Sequence, residues 1–136
     1  MCDIQYYISM NDTQNIQKHI DKLSAELRRG LIVLVVMSQL KEAEYGYSLL
    51  KKLEKKGYSI TQDTLYPLLR RLEKQGYVSS DWKTDESRPR RYYQLNGLGE
   101  AVFTALRDEW KEQFVQINKI ISENPNEENE KTEETE

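Results

Sequence analysis

Four leucines decide most of what this chain can become. Leu65, Leu68, Leu69 and Leu72 recur at i, i+3, i+4 and i+7, the spacing that draws one narrow apolar stripe down a helix. Thr61 is a suitable N-cap ahead of them and Gly76 a suitable stop behind them. On the opposite side of the same helix the sequence sets Gln62, Tyr66, Arg70 and Lys74. A helix with one side for a core and the other polar and partly basic needs both a body to pack on and a polar partner to face. Pro67 interrupts the pattern, because it removes the bond to the Asp63 carbonyl and costs about 3 kcal/mol in an ordinary helix interior. Either the helix begins at Pro67, or it begins at Thr61 and tolerates an early bend; the cap and the unbroken stripe favour the second.

The neighbouring segments supply the body. Ile16, Ile20, Leu23 and Leu27 keep a helical face that runs into the all-round apolar stretch Leu31 to Met37, expected to be the most buried helix. Ser24 can cap a fresh helix, so residues 14 to 40 admit one helix or two. Lys41 to Glu44 reads as a polar connection. Gly46 then opens a helix expected to bury Tyr47, Leu50 and Leu53 and to stop at Gly57. After Gly76 the period changes from 3.6 to 2: Val78, Ser80 and Trp82 alternate with polar residues, as do Arg91, Tyr93 and Leu95, predicting two antiparallel strands with Trp82 on the core face. Asn96 caps a last helix whose Phe103, Leu106, Trp110, Phe114, Ile117 and Ile121 keep a near-heptad spacing, a seam that wants a partner helix. The fold class that results is mainly α with a small β-hairpin: a winged helix-turn-helix domain (24–98) and a long C-terminal dimerisation helix (99–122). A partly helical extension (1–23) precedes them and an acidic tail (123–136), expected to be disordered, follows.

Charge becomes informative once it is divided along the chain. The net charge is −3, yet residues 123–136 hold seven acids and one base, which leaves 19 bases against 16 acids in the rest. The tail reads as a solubilising segment, or as a competitor for the basic surface. Between the strands, Lys83, Arg88, Arg90 and Arg91 outnumber Asp85 and Glu86, so phosphate is the expected partner of the loop. Helix, link and helix together read as a helix-turn-helix, whose second helix offers its first side chains to base edges in the major groove. The expected DNA set is Thr61, Gln62, Thr64, Tyr66, Arg70, Lys83, Arg88, Arg90 and Arg91, with Arg91 in phase with the inward-facing Tyr93 and Leu95.

Other chemistries find little support. One histidine, His19, and one cysteine, Cys2, supply neither a closed metal site nor a nucleophile with its base, so no metal, no cofactor and no enzyme is expected. The longest apolar run falls far short of the roughly 18 residues of a membrane span, and the first residues lack the features of an export signal; a cytoplasmic location is expected.

Several strings carry a family resemblance. Leu27-Arg28-Arg29-Gly30-Leu31, Tyr45-Gly46-Tyr47, Thr64-Leu65-Tyr66-Pro67-Leu68-Leu69-Arg70-Arg71-Leu72-Glu73-Lys74 with Gly76-Tyr77-Val78, and Arg90-Arg91-Tyr92-Tyr93-Gln94-Leu95 resemble the PadR family of transcriptional regulators over roughly residues 27 to 122. The resemblance implies that the equivalent of Pro67 is an ordinary part of the recognition helix. It implies a homodimer joined through the C-terminal helix, repression at an inverted-repeat operator, and release by a small aromatic or lipophilic effector. Gln62 and Asp63 depart from the small or proline residues more usual there, and Asn96 stands where threonine is common. Trp110 has two readings, a dimer seam residue or one of two indoles forming a slot for a planar effector. The rival to DNA binding is a winged-helix module that binds another protein.

Overall fold

The computed structural model describes residues 10–84 and 88–122. A single helix, α1, runs from Met10 to Ser38, so the stretch that admitted one helix or two is one, and a boundary at residue 23 falls inside it. Over 29 residues it extends about 43 Å at 1.5 Å per residue. Only its C-terminal end enters the core, through Val36 and Met37, followed by Leu40 just beyond it. In the half that carries Ile16, Ile20, Leu23 and Leu27 these side chains are all exposed, Leu27 by 73%.

Next come β1 (Glu44–Tyr45), α2 (Gly46–Lys55), α3 (Gln62–Lys74), β2 (Val78–Lys83), β3 (Arg90–Leu95) and α4 (Gly97–Ile121). The strands form one antiparallel sheet in the order β1-β3-β2, with Val78 opposite Leu95 and Lys83 opposite Arg90. Glu44, expected in a polar connection, is therefore half of a short edge strand, pairing with Tyr93. The two-residue strand has no alternation to betray it; it exists because β3 presents an open edge, along which Leu95 N–H also reaches the Leu40 carbonyl at 2.8 Å.

Helices α2 and α3 end identically. Gly57 and Gly76 take φ of +82° and +91°, and the residue after each donates back five positions, Tyr58 to Leu53 and Tyr77 to Leu72. These glycines close each helix so that the chain reverses at once. Asn96 caps α4 as expected, accepting from Gly99 N–H at 2.8 Å while its amide donates to the Gly76 carbonyl at 2.7 Å. One side chain thus ties the start of α4 to the turn that ends α3.

The core joins Val36, Met37 and Leu40 to Leu49 and Leu53 of α2, all four leucines of the α3 stripe, Val78, Tyr93, Leu95 and Phe103. Two expectations are corrected here. Helix α2 buries Gly46, Leu49 and Leu53, while Tyr47 is 53% exposed and Leu50 only half-buried. The phase is set by Gly46: a Cβ there would lie 2.5 Å from the Tyr66 ring and hydroxyl of α3, so this point of α2 is pressed inward and Tyr47 turned out. Trp82 does lie on the same side of its strand as Val78, but it is 59% exposed. The strand outruns the core, and the tryptophan sits opposite Arg91 instead of a core side chain.

Candidate nucleic-acid interface

Helix α3 starts at Gln62 and contains Pro67 as its sixth residue, so it begins early and accommodates the proline. Asp63 and Pro67 are both exposed, which lets water reach the carbonyl that lost its partner. Thr61 occupies the N-cap position without making a side-chain cap; its hydroxyl instead meets the Thr64 hydroxyl at 3.1 Å. Thr61, Gln62 and Thr64 are exposed together at the start of the helix, and Arg70 and Lys74 are exposed further along.

Tyr66 behaves differently from the rest of this set. It is half-buried, with ring and hydroxyl laid on Gly46, so its evident work is to lock α2 against α3. Arg91 is also engaged within the chain: its guanidinium donates to Ser80 Oγ at 2.9 Å and pairs with Glu73 of α3. Its phase with Tyr93 and Leu95 turns it toward α3, where it fixes the hairpin to the recognition helix. Period-2 alternation places Lys83 and Arg90 on the other side of the sheet. There Lys83 Nζ lies 4.5 Å from the centre of the Tyr92 ring and Arg90 Cζ 4.5 Å from that of Tyr45, the two rings meeting edge to face at 5.3 Å. This stack of two cations and two tyrosines stiffens the hairpin base. Arg88 is exposed nearer the tip. Asp85 and Glu86, counted above in the loop's charge, lie outside the described residues, as do Cys2 and the acidic tail.

Glu44 lies next to Tyr45 in β1 and anchors that strand. It accepts from Ser48 Oγ at 2.6 Å and from Lys52 Nζ at 3.0 Å, tying β1 to the first turns of α2. Burial alone would raise its pKa, but these two donors and the Lys52 charge outweigh that and hold the carboxyl below its ordinary value.

A second surface is apolar. Along α4 the buried residues end with Phe103, which packs in the chain's own core and so leaves the expected dimer seam. Leu106, Trp110, Phe114, Ile117 and Ile121 remain exposed, Trp110 by 41% and stacked on Phe114 with ring centres 5.3 Å apart. With Leu27, Leu31 and Leu34 of α1 they line an open groove of about 670 Å³. The α1 wall of this groove was missed in the sequence, where the same leucines read as core; helix spacing shows that a stripe exists but not what covers it.

A comparison with known families decides the lineage. Residues 33–105 match the model of the transcriptional regulator PadR-like family. The chain belongs to that family. A PadR family transcriptional regulator from Eggerthella lenta is 38% identical, the match spanning 82% of this chain and 99% of that one with a TM-score of 0.75. A transcriptional regulator from Clostridium thermocellum is 32% identical over 69% and 96% of the two chains, TM-score 0.64. A PadR family regulator from Clostridium difficile is 25% identical over 66% and 97%, TM-score 0.61. No curated protein matches. The PadR chain described here is accordingly a DNA-binding transcriptional regulator with a winged-helix fold. Among its described residues no helix is long and apolar enough to cross a membrane.

Proposed function

We propose that this PadR protein is a homodimeric repressor that binds an inverted-repeat operator and releases it when a small aromatic or lipophilic molecule enters the groove between α1 and α4. The observation that carries the reading is the presence of two unused surfaces on one small body: the polar side of α3 with its hairpin, and the apolar groove. Thr61, Gln62, Thr64 and Arg70 are assigned to the major groove, and Lys83, Arg88 and Arg90 to backbone phosphates. Tyr66 and Arg91 hold the elements that carry them. A second copy laid on the α4 stripe covers Phe114, Ile117 and Ile121 and turns the open groove into a walled slot, with Trp110 supplied from both chains.

Salt dependence tests the DNA part. Duplex from the gene's own upstream region is bound with an affinity that falls steeply as salt rises, and Arg88→Ala and Arg90→Ala each flatten the slope of log K against log salt by about 1 unit. A flat response, or no duplex binding at low salt, favours a winged-helix module that binds protein. Trp110→Ala tests the slot. If that variant binds aromatic compounds and leaves DNA as the parent does, the slot is abandoned.

A further inference from the structure

We infer that α1 itself touches the DNA: Arg29, beside Thr61 and Thr64, forms a backbone-phosphate site separate from the hairpin cations. The inference rests on the DNA-binding reading above. It comes from a cleft of about 330 Å³ between α1 and the start of α3, on a different side of α1 from the apolar groove. Ala25, Arg28 and Arg29 form one wall, and Ser59, Thr61 and Thr64 the other. Ile32 and Ile60 make part of the lining apolar; its charged groups are two guanidiniums, joined by two threonine hydroxyls, and no carboxylate lines it. Such a lining attracts an anion that accepts several hydrogen bonds.

The two arginines have different work. Arg28 is already engaged: its Nη2 donates to the Ser59 carbonyl at 3.0 Å, and its Cζ lies 5.0 Å from the centre of the Tyr58 ring. It clamps the turn between α2 and α3 onto α1 and is a positioning residue. Arg29 is exposed, and its side chain makes no hydrogen bond or ion pair with the described residues. The occupant is a duplex phosphate, because the far wall of the cleft is the first turn of α3. Thr61 and Thr64 flank Gln62, the residue assigned to base edges, so an anion held between them and Arg29 belongs to the strand that borders the groove being read. Each subunit then grips the backbone at two places, the hairpin on one side of α3 and α1 at its start.

The test compares the parent with Arg29→Gln and Arg29→Lys by fluorescence anisotropy on operator duplex between 50 and 200 mM salt. Arg29→Gln is expected to flatten the log–log slope by about 1 unit, so that its affinity deficit shrinks about fourfold across that range. Arg29→Lys keeps the parent's slope, and both variants melt with the parent because residue 29 is exposed. In a second arm, duplexes carry one neutral methylphosphonate at successive backbone positions. One position is expected at which the substitution weakens the parent but leaves Arg29→Gln unchanged. A steep parent slope with an unchanged Arg29→Gln slope overturns the α1 contact and leaves the DNA reading standing. A deficit that persists at every methylphosphonate position assigns the cleft to a free anion and overturns the duplex assignment. A parent that binds no duplex overturns both readings.

Discussion

The leucine stripe of α3 and the apolar stripe of α4 look alike in the sequence and end in opposite circumstances. Leu65, Leu68, Leu69 and Leu72 are all buried within one chain, whereas Leu106, Trp110, Phe114, Ile117 and Ile121 all remain exposed. The first belongs to a body that is complete by itself, with no buried polar residue among those described. The second belongs to a surface whose free energy is realised only when something covers it. Folding and assembly are thus written on different helices, and mutations at the two stripes separate them.

The largest effect is expected in the complete stripe. Leu69→Ala removes a fully buried side chain and lowers unfolding free energy by about 2–5 kcal/mol, read by denaturant titration and independent of protein concentration. Gly46→Ala comes next. Its new methyl meets the Tyr66 ring, so one helix must shift, at a cost of about 1–3 kcal/mol; Gly46→Ala with Tyr66→Ala is expected to recover part of that loss, at the cost of the ring's own packing. In the uncovered stripe the expectation reverses. Phe114→Asp leaves the melting of the dilute monomer within about 0.5 kcal/mol of the parent, as for an exposed site, but abolishes the concentration-dependent rise in Tm expected of a dimer.

A smaller, pH-dependent effect belongs to the hairpin base. Glu44 has a lowered pKa in the folded chain, so its ionised form contributes stability that is fully present above the ordinary value of 4.5. That contribution disappears as pH falls through the folded-state value. Glu44→Gln therefore costs about 1 kcal/mol at pH 7 and progressively less as the pH falls below the ordinary carboxylate range, measured by thermal melts in a series of acidic buffers.

Local patterns were the legible part of this molecule. The α3 stripe, the glycine stops at 57 and 76 and the Asn96 cap depend on residues within one or two turns, and each appears where its spacing put it. What escaped depends on distant partners. Period 2 gives the face of Trp82 but not the length of the core beneath it. The phase of α2 follows from Tyr66 meeting Gly46 across 20 positions, and the pairing of Arg91 with Glu73 crosses 18. Of the proposed interface, the exposed first turn of α3 was readable from amphipathicity. The α1 cleft was not: Arg28-Arg29 stood out only as a motif string until the turn at Ser59 was brought against it.

Hydroxyl-radical footprinting on the gene's own upstream DNA tests the link between the two stripes most directly. If α3 faces the duplex and α4 joins two copies, the protein protects two symmetry-related segments whose centres lie about 34 Å, one helical turn, or a whole multiple of it apart. Phe114→Asp then loses the paired pattern at protein concentrations that saturate the parent. A single unpaired segment for the parent, or the same paired protection from Phe114→Asp, contradicts the account.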